Sequence, residues 1–322
     1  MRPMLPDGRR LGAHLPLGRG MVRAVERAHE LGLDTLQVFS DNPTAWRRRT
    51  EPPRELPAFQ LRLDELGMGP IAIHAAYLVN LAGPDPVLFE QSCAVLTSEL
   101  RVAPGFRARY VNVHTGSHRG SGVAAGTARV ADGVARVVAE VDDGPGTPML
   151  VLENSAGSGD GLGVTLEELA GLLEAIAARG IAEHRVGICL DSAHLWGAGF
   201  DIGDADGVER LVQAFDDQIG LARLRMVHFN DSKAALGSKT DRHEHLGAGS
   251  IGPAGLGAML RHPRLAHATF YLETPGMEEG YDAINAGRML DLAAGRPLAE
   301  LPLGAATVRG SRSRTAPAGD EA

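Results

Sequence analysis

Nine side chains able to hold a metal ion recur along this chain, most of them where a short apolar run ends: His74, His114, Glu153, Asp191, His194, His228, Asp241, His243 and Glu273. Taken singly, each reads as an ordinary polar residue at a strand end. Six consecutive apolar runs that each end in His, Asp or Glu are harder to assign to coincidence. Imidazoles and carboxylates without thiolates suit Zn²⁺, with Mn²⁺ or Fe²⁺ as candidates at the more carboxylate-rich position. Nine donors exceed the needs of one tetrahedral ion; with one carboxylate bridging, they match three ions that keep open positions for water and substrate. Two such ions about 3.5 to 4 Å apart can hold both the attacking and the leaving oxygen of a phosphate ester, so phosphoryl chemistry is the expectation.

Local spacing refines this. Asp241 and His243 are two apart, so in an extended loop both side chains leave the same side and can grip one ion. Asp191 and His194 are three apart and, in an extended chain, serve neighbouring ions more readily than a shared one. The run Gly157-Ser158-Gly159-Asp160-Gly161-Leu162-Gly163 lacks the Lys-Ser/Thr ending of a phosphate loop and reads as a flexible active-site loop.

These residues need a scaffold that brings distant segments together. Runs rich in Val, Ile and Leu alternate with helical patterns, the signature of βα units around a parallel sheet. Strands are predicted at Leu11 to His14, Thr35 to Phe39, Ile71 to His74, Tyr110 to His114, Met149 to Glu153, Val186 to Asp191, Leu224 to His228 and Phe270 to Glu273. Helices are predicted over Met21 to Leu31, stopping at Gly32, up to Leu66 before Gly67, and from a Thr165/Glu168 capping box through Leu173. Eight strands with intervening helices predict a single TIM barrel, which gathers the carboxyl ends of its strands at one mouth. The catalytic domain is expected over residues 10–304, with a flexible segment at 1–9 and a disordered tail at 305–322.

Composition constrains the setting. The 322 residues are 44% hydrophobic, enough for a large core, and no apolar run approaches the roughly 18 residues that span a membrane. No charged-then-apolar leader opens the chain, and the expectation is a soluble, cytoplasmic monomer. Two cysteines argue against a disulfide framework; Cys189, inside an apolar run, reads as a buried structural thiol. The formal charge of −8 is awkward for a nucleic-acid binder, but three divalent ions would offset most of it where a phosphate must land.

The segments Ile73-His74-Ala75-Ala76-Tyr77-Leu78, Asn112-Val113-His114, Glu153-Asn154-Ser155-Ala156-Gly157, Asp191-Ser192-Ala193-His194, His228-Phe229-Asn230-Asp231-Ser232-Lys233, Asp241-Arg242-His243 and Glu273-Thr274-Pro275 resemble, in order, those of the endonuclease IV family of apurinic/apyrimidinic endonucleases. The resemblance covers roughly residues 10 to 300. It implies three zinc ions: His74 and His114 on the first; Glu153 as the catalytic, bridging carboxylate; Asp191, His228 and Glu273 on the second; His194, Asp241 and His243 on the third. It also implies hydrolysis of duplex DNA on the 5′ side of an abasic site, leaving a 3′ hydroxyl and a 5′ deoxyribose phosphate.

DNA contacts would come from loops that follow the strands. Trp46-Arg47-Arg48-Arg49 follows the second strand, while Lys233, Lys239 and Arg242 surround the third-ion motif. Tyr77 and Leu78 match positions that the family uses to penetrate the base stack. Two positions depart from the family pattern: Thr44 stands where a longer, often basic, side chain is expected, and Thr115 replaces a proline. His14 is expected to support the mouth, and His29, His184, His262 and His267 to be ordinary surface residues. Sugar isomerases and epimerases use the same barrel with one or two ions, so the trio His194, Asp241 and His243 is the feature that separates the two readings.

Overall fold

The apolar runs pair side by side because neither face of such a strand tolerates water, and each helix that follows covers the outer face. In the computed structural model, which describes residues 7–144, 146–277 and 280–305, the elements through the first half are β1 (Arg10–His14), α1 (Met21–Glu30), β2 (Thr35–Val38), α2 (Leu56–Leu66), β3 (Ile71–His74), α3 (Pro86–Val102), β4 (Ala108–His114) and α4 (Val123–Ala139). They continue with β5 (Met149–Glu153), α5 (Leu166–Ala177), β6 (Val186–Asp191), α6 (Ser192–Ala198), α7 (Ala205–Gln218), β7 (Leu224–His228), β8 (Asp231–Ser232), β9 (His243–Glu244), α8 (Gly252–Arg261), β10 (Thr269–Leu272) and α9 (Asp282–Ala293). Eight parallel strands close into a barrel in the order β1-β10-β7-β6-β5-β4-β3-β2, and β8 and β9 form a separate antiparallel pair beyond β7. The predicted TIM barrel is the observed fold.

Element boundaries follow local chemistry. Gly67 ends α2 in the left-handed conformation, with its amide bonded to the Asp64 carbonyl. Thr165 caps α5 by accepting the Glu168 amide, and Glu168 reaches back to the Val164 amide rather than to Thr165 itself. Helix α5 runs on to Ala177, past the predicted end, because Leu172, Leu173 and Ile176 keep the buried stripe going.

Inside the barrel, Ala72, Met149, Val151, Cys189, Met226 and Tyr271 fill the space below the mouth. Gly12 is required there: a Cβ would stand 2.6 Å from Thr35 Cγ2 and 2.9 Å from the Tyr271 ring. Cys189 is fully buried, and burial pushes its thiol up to about 12, which fits a structural role.

The chain ends need two adjustments. Arg9, predicted mobile, is buried; its guanidinium bonds Asp7 and the His262 carbonyl. Ala305 is buried as well, and its carbonyl meets His245 Nε2 at 3.1 Å. The rest of the predicted tail, residues 306–322, lies outside the described residues, as do residues 1–6. Among the described residues no helix is long and apolar enough to cross a membrane. His262, predicted on the surface, is buried at the end of α8 and pairs with Glu209 at 2.9 Å.

Candidate metal centre

Parallel register decides which side chains meet. His114 at the end of β4 pairs with Glu153 of β5, and Asp191 at the end of β6 pairs with His228 of β7. All nine predicted donors therefore reach the one mouth. His74, His114 and Glu153 form one group, and Glu153, Asp191, His228 and Glu273 a second; within each, the candidate ligand atoms lie within 4.8 Å of one another. Asp191, His194 and His243 form a third group on the same criterion. Asp241 joins that group, with Oδ2 3.3 Å from His194 Nε2 and Oδ1 3.2 Å from His243 Nε2.

Asp191 thus reaches two of the groups, standing close to His194 as well as to Glu153, His228 and Glu273. The cause is local. The chain does not stay extended after β6 but turns at once into α6, where Asp191 is the N-cap and accepts the His194 amide at 2.8 Å. One turn of helix brings both side chains to the same place. His243 opens the extended β9, and the Asp241 and His243 side chains converge.

The ring orientations are fixed from behind. His74 Nδ1 meets the Ala75 carbonyl at 2.7 Å, His194 Nδ1 the Asn154 carbonyl at 2.9 Å, and His243 Nδ1 the Glu273 carbonyl at 2.9 Å. A carbonyl can only accept, so each Nδ1 carries a proton and each Nε2 faces the mouth. His228 is reversed: its Nε2 meets Gln37 Oε1 at 3.0 Å, which leaves Nδ1 inward, 3.1 Å from Glu153 Oε1 and 3.2 Å from Glu273 Oε2.

Side-chain amides hold the carboxylates in turn. Asn112 donates to Glu153 Oε2 at 2.6 Å, Asn230 to Asp191 Oδ2 at 2.7 Å, and Gln37 to Glu273 Oε1 at 2.6 Å. His14 adds a contact of 3.4 Å to the same Glu273 oxygen, in keeping with its expected supporting place. Gln37, Asn112 and Asn230 were missed by sequence reasoning. Each is fully buried in or beside a barrel strand, where an amide needs polar partners.

The donor set fits divalent cations. Glu153 Oε1, His228 Nδ1 and His243 Nε2 are buried without a hydrogen-bond partner, the atoms a cation would satisfy. Burial opposes charge throughout, yet His114 and His228 hold Glu153 well below the usual carboxylate range, and His194 and His243 do the same for Asp241. Against the same burial, Asp191 and Asp241 raise His194 well above its ordinary value and push His243 up to about 10. The mouth is a tightly balanced set of acids and bases.

The DNA-facing candidates are distributed unevenly. Tyr77 is 57% exposed, with Leu78 half-buried beside it, and Arg47 and Arg242 are exposed. Lys233 stands 3.4 Å from Glu244, and Trp46 packs partly against the core. Thr44 is exposed and bonds back to Asn42. Arg48 and Arg49 depart from the expected basic surface: Arg48 turns inward, and Arg49 pairs with Asp41 at 3.2 Å. The Gly157-to-Gly163 loop is pinned rather than loose, by the Leu162 amide on the Gly116 carbonyl, a bridge between Ser117 and Gly161, and Thr115 Oγ1 on the Leu162 carbonyl.

An eight-stranded barrel with imidazoles and carboxylates at its mouth defines a class, and the family described as xylose isomerase-like TIM barrel matches residues 25–291. Within that class the chain superposes on the crystal structure of endonuclease IV from Thermus thermophilus with a TM-score of 0.76 and 37% identity, covering 89% of this chain and 99% of that one. A probable endonuclease 4 from Methanoculleus marisnigri is 40% identical over 283 residues, 88% of this chain and 98% of its own length. The chain belongs to the endonuclease IV family. A D-tagatose 3-epimerase-like protein, with a TM-score of 0.63 and 17% identity, shares the fold alone.

Proposed function

We propose that this hydrolase of the nuclease class is a zinc-dependent, monomeric DNA repair enzyme that cuts duplex DNA on the 5′ side of an abasic site, leaving a 3′ hydroxyl and a 5′ deoxyribose phosphate. One observation carries the reading: eight donors meet in three adjoining groups, with Glu153 and Asp191 each common to two of them, and Asp241 stands against His194 and His243 of the third. His74, His114 and Glu153 would hold one ion, Glu153, Asp191, His228 and Glu273 a second, and His194, Asp241 and His243 a third. When bound, the ions would supply Lewis-acid chemistry, making a water nucleophilic near neutral pH and neutralising charge on the phosphate.

The chain's own groups do the rest. Glu153 and Asp191, each held at one oxygen by an asparagine amide, keep the donor groups in register. The backbone and Gln37 contacts behind the rings keep imidazole nitrogens aimed at the phosphate's landing place. Tyr77 and Leu78 would enter the base stack, with Trp46, Arg47, Lys233 and Arg242 along the duplex backbone. The carboxylates of the mouth would repel phosphate on their own, so cation loading is a precondition for substrate binding.

The group formed by His194, Asp241 and His243 favours this reading over a sugar isomerase or epimerase, which needs fewer ions. The test is a nicking assay on an end-labelled duplex with one abasic site, run beside metal analysis of the same preparation. About three ions per chain and a single cut with the stated ends are expected. About one ion per chain, or an intact duplex, overturns the reading.

A further inference from the structure

Two loops stand ahead of the metal centre: residues 39–50 after β2, carrying Trp46 and Arg47, and residues 75–80 after β3, carrying Tyr77 and Leu78. They touch directly, through the Tyr77 amide on the Pro43 carbonyl at 3.1 Å and the Phe39 and Tyr77 rings 5.1 Å apart. Both also converge on one residue of α3, Glu99, which is 2% exposed. Glu99 Oε1 accepts the Ala76 amide at 3.2 Å, the residue before Tyr77. The same oxygen stands 3.6 Å from Arg48 Nη1.

Arg48 is as deeply placed as its partner requires, with 9% of its side chain exposed. Its Nη2 donates to the Asn42 carbonyl at 2.9 Å and to the Ala45 carbonyl, so one guanidinium gathers the β2 loop around itself. Arg48 Nε and Nη1 and Glu99 Oε2 have no hydrogen-bond partner, so charge attraction between the two side chains is their main compensation for burial. Burial pushes the Glu99 carboxyl up to about 7 even with Arg48 opposing the rise. A cavity of about 250 Å³ lined by Arg48, Leu56, Arg101 and Phe106 gives the loop room to move if the pair is lost.

We propose that Glu99 and Arg48 are positioning residues for substrate: a buried ion pair that locks the β2 and β3 loops together, so that Tyr77, Leu78, Trp46 and Arg47 meet DNA as one preassembled surface. The role of that surface rests on the nuclease reading; the locking of the loops does not. Neither residue touches the metal donors or the phosphate. Their loss acts on binding, through the loops, rather than on the chemical step.

Glu99→Gln and Arg48→Met test this in the full, metal-loaded chain, with Arg48→Lys as the charge-conserving variant. Amide hydrogen exchange without DNA reads the lock. Both loops are expected to exchange faster in both variants, by about threefold to thirtyfold, with partial rescue in Arg48→Lys and unchanged metal content. Exchange that is unchanged, or raised in the β2 loop alone, overturns the lock. Steady-state kinetics on an abasic duplex read its use: KM rises by a similar factor and kcat stays within about twofold. Because Arg48 lies in a loop, its variants report even if Glu99→Gln fails to fold. Faster exchange with unchanged KM overturns the positioning role. Faster exchange in the variants, together with a wild-type protein that does not cut DNA, leaves the lock standing and removes the nuclease reading.

Discussion

His228 Nδ1 and Glu153 Oε1 face each other at 3.1 Å at the barrel mouth, fully buried, and no hydrogen bond joins them. A ring nitrogen and a carboxylate oxygen so placed both direct lone pairs at the same point once the ring is neutral. Replacing Glu153 with alanine removes that oxygen from both donor groups it joins. Glu153→Ala should retain fewer ions than wild type and lose at least about a hundredfold in cleavage, since even partners one step removed from a metal cost about 10- to 100-fold. Mass-spectrometric metal counting beside the nicking assay checks both; full metal content in the variant would contradict the bridging role.

Gln37 is predicted to matter without touching an ion. Its amide meets His228 Nε2 and Glu273 Oε1 together, so Gln37→Leu frees one ring and one carboxylate of the same group. Metal affinity at that group should fall about 10- to 100-fold in competition with a chelator, while thermal stability of the loaded protein stays near wild type. An affinity within about twofold of wild type would show that His228 is oriented by something else.

Protons must leave before ions arrive. His194 and His228 are raised well above, and His243 to about 10, so at pH 7 the metal-free mouth holds protons that a cation displaces. Loading at pH 7 should release more than one proton per chain, measured by calorimetry in buffers of different ionisation enthalpy, and affinity should rise with pH. The metal-free protein follows the same groups in stability. Raised imidazoles stabilise it below their unfolded value of 6.5 and lose that contribution as pH rises toward 10. Lowered carboxylates, Glu153 and Asp241, contribute above their unfolded values and lose it as pH falls. Thermal unfolding in chelator should therefore peak between about pH 4.5 and 6.5; a maximum above pH 8 would contradict it.

Arg47 is exposed, whereas Arg48 turns inward to Glu99 and Arg49, though exposed, is paired with Asp41. Arg47→Ala should weaken binding to abasic and intact duplex alike and reduce the slope of log affinity against log salt by about one. An unchanged slope would remove Arg47 from the phosphate contacts.

The barrel and most of the donor candidates were legible because both are written in local pattern: short branched-aliphatic runs, six of them in succession closing on His, Asp or Glu. What escaped was set by partners distant in the chain. Asp191 and His194 were read on extended geometry, whereas Asp191 is the N-cap of α6 and the helix starts at once at Ser192. Arg48 looked like its two neighbours until Glu99, on another helix, claimed it. Gln37, Asn112 and Asn230 lie in or beside apolar strands, where a lone amide attracts little notice until the carboxylate or ring behind it is in view. The glycine-rich run suggested looseness, yet Leu162 within it is a core residue.

The donors enter the chain from β3 through the residue after β10, and Glu273 comes last. A nascent polypeptide released early by a stalled ribosome would hold His74, His114 and Glu153 and still lack the side chain that completes the second donor group. On the proposed function, the capacity to break a phosphodiester bond would therefore arrive late in translation, when nearly the whole barrel has been made.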